Sequence, residues 1–158
     1  MDVLFLFEWL DASMLATISK SNGGVFALVQ TVHLVSLALL GGMSIMLDLR
    51  LLNLLLRDVP LLIVVAETKK WIGVALVTIT LSGVYQASAV AIKLYYNSFF
   101  WSKMAGLVIA LLLYYAIKLP LLNRGVDKFH PWTIKLVAVA SLTTWFGVAA
   151  TGRWIGFS

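Results

Sequence analysis

The sequence predicts an all-α membrane protein: a four-transmembrane-helix bundle preceded by a short amphipathic helix in the bilayer interface. Three observations carry this. The 158 residues are 61% hydrophobic and 12% charged, with a mean hydropathy of +0.97, and a soluble domain of this size has too little polar surface to cover so apolar a chain. Four runs reach the roughly 20 apolar residues that a hydrocarbon core about 30 Å thick requires, at about 24–46, 71–94, 99–121 and 132–156. Together with the N-terminal stretch they use nearly all of the chain, so residues 1–158 are read as a single integral membrane domain.

The first element, within 1–23, is too short and too polar to span. It lacks the basic start and small-residue cleavage pattern of a signal peptide, and Glu8 and Asp11 interrupt its apolar run. Phe7, Leu10, Met14 and Ile18 recur at helical spacing while Glu8, Ala12 and Ser19 take another side, which predicts one interfacial amphipathic helix ended by Asn22-Gly23-Gly24.

The four spans are oriented by their basic flanks. The connections between the first and second spans and between the third and fourth hold Arg50, Arg57, Lys69, Lys70, Lys118, Arg124, Lys128 and Lys135. The other side holds Lys20, Lys93, Lys103 and Arg153. Because cytoplasmic flanks carry the excess of Lys and Arg, both termini are expected on the periplasmic side of a bacterial inner membrane. The net charge of +5 is then a topology signal with some attraction to anionic lipid, and it gives no reason to invoke nucleic acid. Trp71, Trp101, Trp132 and Trp154 stand at span ends as an interfacial belt.

The chain contains no cysteine, which excludes disulfides, iron-sulfur clusters and covalently attached c-type haem. It also has no phosphate-binding glycine loop, nucleophile elbow or HExxH pair. What remains is the polar pattern within the spans, where ionisable groups are costly and face the protein interior. On the first span, Gln30, His33, Ser36, Gly41, Ser44 and Asp48 fall within one stripe at a period of 3.6. The small residues permit close helix contact, but His33 is not explained by packing. Asp48 and Arg50 read as a local pair closing the inner end of this span. No acidic residue lies in mid-span, which weighs against a small transporter.

A rise of about 1.5 Å per residue places His33 roughly 13 Å below the outer boundary. The returning second span brings Tyr85 and Gln86 to that level. Lys103 and Met104 lie a turn or two below the outer boundary on the third span, Arg153 is shallower on the fourth, and Trp145 is about level with His33. His130, before Pro131 at the inner start of the fourth span, is roughly 15 to 20 Å away along the membrane normal. It reads as a helix start, and the two histidines cannot share one metal. Lys103 or Arg153 alone fits a side chain snorkelling to the headgroups; their joint occurrence with His33 in one half of the bundle points to a site.

These residues carry two resemblances. HLVSLALLGGMSIMLDLRLL, YYNSFFWSKM and GRWIGF resemble an uncharacterised family of small bacterial four-helix inner-membrane proteins. A His in the first span followed by glycine and then arginine, here His33, Gly41 or Gly42, and Arg50, with Trp101 and Lys103 opening the third, is similar to the haem-binding four-helix membrane protoporphyrinogen oxidases and to the copper-resistance D membrane proteins. Leu40 and Leu49 stand where the oxidases carry an aromatic before the glycine and a proline before the arginine. The resemblance implies that His33 is a haem ligand.

The chemistry of the residues is compatible with that role. A b-type haem needs an axial imidazole, an apolar slot and cations for its propionates. His33 would supply the metal ligand, Met104 or a neutral Lys103 a sixth ligand, and Lys103 and Arg153 the propionate partners, with Tyr85 and Trp145 completing the site. The same cluster suits a quinone head group bound by His33 and Tyr85, or an anionic lipid. The expected function is therefore an electron-transferring membrane subunit that binds haem b, quinone or both. The alternative is a cofactor-free accessory subunit. In either case the expected partners are the lipid bilayer and other membrane subunits or further copies of the chain.

Overall fold

The computed structural model describes residues 3–155. Among these the chain is helical throughout, with α1 (Leu4–Asp11), α2 (Met14–Ser21), α3 (Gly23–Leu51), α4 (Leu61–Ala89), α5 (Ala91–Tyr95), α6 (Ser98–Leu112), α7 (Leu119–Arg124) and α8 (Pro131–Trp154). A π-helical segment, Leu113–Lys118, joins α6 to α7, and a 3-10 turn, Val126–Lys128, follows α7. Three helices are long and apolar enough to cross a membrane: Gly23–Leu51, the continuous run Ser98–Arg124, and Pro131–Trp154. The chain is a membrane protein.

Its surface confirms the choice of solvent. Leu28, Leu34 and Val35 on α3, Val77 and Leu81 on α4, Ile109 and Leu112 on α6, and Leu136 and Phe146 on α8 are exposed. Ser36, Ser44 and Asp48 of α3, Thr68, Ser82 and Ser88 of α4, Lys118, and Ser141 of α8 are buried. Polar groups inside and large apolar groups outside is the arrangement that lipid, not water, makes favourable.

The helices start where local chemistry starts them. The Asn22 side chain accepts from the amides of Gly24 and Val25 to cap α3. Pro60 precedes α4, Asn97 caps α6 through Phe99 and Phe100, and the His130 imidazole accepts from the Trp132 amide at 3.3 Å to cap α8. His130 is thus the helix start that its position before Pro131 predicts.

Several boundaries differ from the sequence expectation. α4 begins at Leu61, ten residues before the predicted span, because Ala66-Glu67-Thr68-Lys69-Lys70 is too polar for lipid yet made of residues that a helix tolerates. The predicted span 71–94 is also not one helix: Val90, with φ −136°, interrupts it before α5. On the third span the π-helical segment falls just before Pro120, which has no N–H to give the preceding turn and crowds the carbonyl four residues back. The last residues of the predicted fourth span and of GRWIGF, from 156 on, lie outside the described residues.

The N-terminal element is two helices where the periodicity predicts one. Ser13 ends the first by donating to the Leu10 carbonyl at 2.6 Å and caps the second by accepting from the Ala16 amide at 3.2 Å. This break splits the expected apolar stripe. Phe7 turns inward onto Tyr95, Phe100 and Trp101, whereas Met14 and Ile18 are exposed. Ser19, assigned to the polar side, is buried with its hydroxyl 3.1 Å from that of Ser88. The α2 face that reads as polar is the one that docks on α4.

α3 and α4 form a closely packed antiparallel pair, α8 packs against both α6 and α3, and α4 and α6 stay apart along most of their length. The apolar core lies between the pairs, around Leu40, Leu47, Ile72, Ala75, Ala110, Tyr114, Ala138 and Trp145.

Candidate functional site

Two polar groupings are built into the helix interior, one toward each end of the α3 stripe. Toward the N-terminal end of α3, the outer end in the topology expected from the basic flanks, His33 Nδ1 lies 2.9 Å from Ser82 Oγ on α4. One turn further in, the hydroxyls of Ser36 and Thr78 meet at 2.7 Å. Thr78, Ser82 and Gln86 follow one another at i+4, so one stripe of α4 faces one stripe of α3.

The Ser82 link fixes the imidazole. The Ser82 hydroxyl donates to the Thr78 carbonyl at 2.6 Å, and with its single hydrogen so committed its oxygen accepts from His33 Nδ1–H. In the neutral ring Nε2 then carries the lone pair, the form in which histidine binds a metal or accepts a proton. Gly83 lies under the ring: a Cβ built there would come 3.3 Å from His33 Cε1.

Lys103 of α6 is within electrostatic reach of His33, and its side chain lies over Gly152 of α8, where a Cβ would come 3.4 Å from Lys103 Cε. Tyr85 stacks near Phe26 of α3 at 6.4 Å, and its hydroxyl is buried with no hydrogen-bond partner among the described residues. Met104 is half-buried beside Lys103, and Arg153 is exposed in the last turn of α8. Trp145, also expected at the site, packs in the core with Leu40 and Tyr114. The structure thus places His33, Lys103 and Tyr85 in the half of the molecule that holds the N-terminal end of α3, with Ser82 beside the imidazole. Among the described residues no three His, Asp or Glu side chains gather as a metal cluster, so a metal here would rest on His33 and the group that carries it.

Toward the inner end, Asp48 departs from the sequence reading. It does not pair with Arg50. Its carboxylate forms an ion pair with Lys118 of the π-helical segment, with side chains 0% and 1% exposed, and Lys118 Nζ donates to Ser141 Oγ of α8 at 3.1 Å. Three helices are thereby tied at one point. Arg50 reaches the other way, to Asn53 Oδ1 at 3.2 Å and the Val59 carbonyl at 3.1 Å, closing the loop between α3 and α4. Lys118, counted among the basic flanks, is therefore an interior residue. The Ser44 hydroxyl, one turn before Asp48, is buried and unpartnered among the described residues.

Sequence reasoning missed Ser82, Lys118 and Ser141. Ser82 left a signal in the i+4 recurrence of Thr78, Ser82 and Gln86 in an otherwise apolar helix. Lys118 left a fainter one, since Lys-Leu-Pro inside an apolar run marks a disturbed helix.

Comparison with known proteins gives a family and no activity. The chain belongs to the family of unknown function DUF6644, whose model matches residues 6–158. No curated protein and no solved structure matches it.

Proposed function

We propose that this member of the family is a membrane-embedded redox subunit of the bacterial inner membrane, with both termini periplasmic and α4 as a fourth spanning helix. In this reading it binds haem b or a quinone head group at His33 and passes electrons to a partner. The observation that supports this best is the 2.9 Å contact between His33 Nδ1 and Ser82 Oγ, which orients the ring and, with the Ser82 hydrogen given to the Thr78 carbonyl, leaves Nε2 as an acceptor.

The neighbouring residues fit either group. The Tyr85 hydroxyl, unpartnered among the described residues, is a donor awaiting an acceptor, and Lys103 and Arg153 are cations for propionates. Haem would supply one-electron chemistry there and quinone two-electron chemistry coupled to protons. The chain's own residues would hold and orient the group: His33 as ligand or hydrogen-bond partner, Ser82 as the group that positions His33, Met104 or Lys103 as a second ligand, and Lys103 and Arg153 as charge partners.

The rival reading is an accessory subunit without cofactor, in which these polar groups only join helices. The test is the content of protein purified in mild detergent: a Soret band or a stoichiometric extractable quinone is expected, and its absence from preparations that remain folded favours the accessory reading.

A further inference from the structure

A groove of about 390 Å³ runs between α8 and the stretch that includes α7, lined by Ile117, Pro120, Leu121, Arg124, Thr133 and Val137, among others. Its walls are two helical stripes. Ile117, Leu121 and Arg124 follow one another at i+4 and i+3 on one side, and Thr133 and Val137 at i+4 on the other. Pro120 and the π-helical turn before it interrupt the regular surface of the first wall.

The groove changes character along its length. Ile117 and Val137 lie at the hydrocarbon end. Arg124 lies about 10 Å further toward the inner end and about 5 Å beyond the predicted limit of the apolar span at residue 121, which is headgroup depth. Arg124 is exposed and makes no ion pair or hydrogen bond among the described residues, and the Thr133 hydroxyl beside it is likewise uncommitted. Arg124 is the one charged residue of the lining, and its charged neighbours in sequence on the two walls are Lys128, Lys135 and one acid, Asp127, so the mouth is cationic. Lys135 lies over the Trp132 ring at 5.7 Å, in the manner of an interfacial pair.

We infer that this groove binds one anionic phospholipid, its acyl chain along Ile117 and Val137 and its phosphate at Arg124 and Thr133. The match is one of both charge and depth: an apolar trough opening sideways to lipid and ending in an unpaired guanidinium is complementary to a chain that ends in a phosphate. The site is separate from the His33 cluster and does not depend on what that cluster binds.

The test is a lipid titration of the delipidated full chain in detergent, read by native mass spectrometry, with phosphatidylglycerol and phosphatidylcholine of identical acyl chains. One basic contact at the surface is worth roughly fivefold in affinity, so the wild type should prefer phosphatidylglycerol by about fivefold or more. Arg124→Gln should remove the preference. Ala116→Trp, at an exposed position in the wall, should lower retention of both lipids severalfold while leaving their ratio unchanged. Equal affinity of the wild type for the two lipids would overturn the proposal, as would an unchanged preference in Arg124→Gln. Unchanged retention in Ala116→Trp would show surface attraction without a groove, and displacement of phosphatidylglycerol by equimolar inorganic phosphate would show an anion site; either result overturns it too.

Discussion

The two polar groupings of the α3 stripe differ in whether they are complete. At the inner end the opposite charges of Asp48 and Lys118 are paired and sealed from solvent, and Lys118 also donates to the Ser141 hydroxyl, so the charges are matched although the Ser44 hydroxyl one turn away has no partner among the described residues. At the outer end His33 has one nitrogen engaged, and among the described residues Tyr85 has an unpartnered hydroxyl and Lys103 has no carboxylate partner. A closed network holds helices together, and an open one has capacity for a ligand. The difference teaches that intramembrane polarity alone does not mark a site; an unmatched charge beside unspent hydrogen-bonding capacity does.

The contrast breaks most visibly at Lys118. Lys118→Met leaves the Asp48 carboxylate buried and unpaired and should cost about 3–5 kcal/mol, seen as a large loss of thermal stability in detergent. Asp48→Leu with Lys118→Met should recover most of that loss, since removing both charges removes the uncompensated one. A double variant as unstable as the single would mean that the pair does more than neutralise itself.

At the outer end the expected effects fall on ligand retention. Lys103→Met should weaken retention of haem or of an anionic head group by about tenfold to a hundredfold, the range of a charge-assisted hydrogen bond worth roughly 1.5–3 kcal/mol, with a smaller loss of stability. Combination with Arg153→Met should be non-additive if both hold one ligand. Additive, near-neutral effects with no ligand in any preparation would leave both as residues reaching the headgroups.

Much of the fold is legible from the apolar runs, because lipid imposes length and hydropathy on whatever crosses it. The boundaries are less so. Glu67, Lys69 and Lys70 end an apolar run without ending a helix, and Ser13 breaks a periodicity that continues on either side of it. Of the outer cluster, His33 and Lys103 are legible as costly residues at one depth, whereas the role of Ser82 is visible only once α3 and α4 are in register. The pairing of Asp48 with Lys118 is not legible for a physical reason: each stands near a predicted span end, where an exposed charge is ordinary, and their contact spans 70 positions of sequence that no local pattern encodes.

Smaller effects sharpen the outer site. Ser82→Ala should cost about 1 kcal/mol in stability and roughly tenfold to a hundredfold in cofactor affinity, the penalty usual for losing the group that orients a ligating histidine; Ser82→Thr, which keeps the hydroxyl, should recover part of the affinity. Ser36→Ala removes an interhelical hydroxyl pair with no free capacity beside it, and should cost about 0.6 kcal/mol with no change in ligand content.

The most direct measurement is the absorption spectrum and extractable quinone of His33→Ala beside His130→Ala, each purified in the same detergent as the wild type. The account predicts that His33→Ala loses the cofactor while staying folded, since Asp48, Lys118 and Ser141 still tie the helices, and that His130→Ala keeps it with only a weakened start to α8. Cofactor retained in His33→Ala, or lost equally in both variants, would contradict the assignment of the open outer cluster as the ligand site.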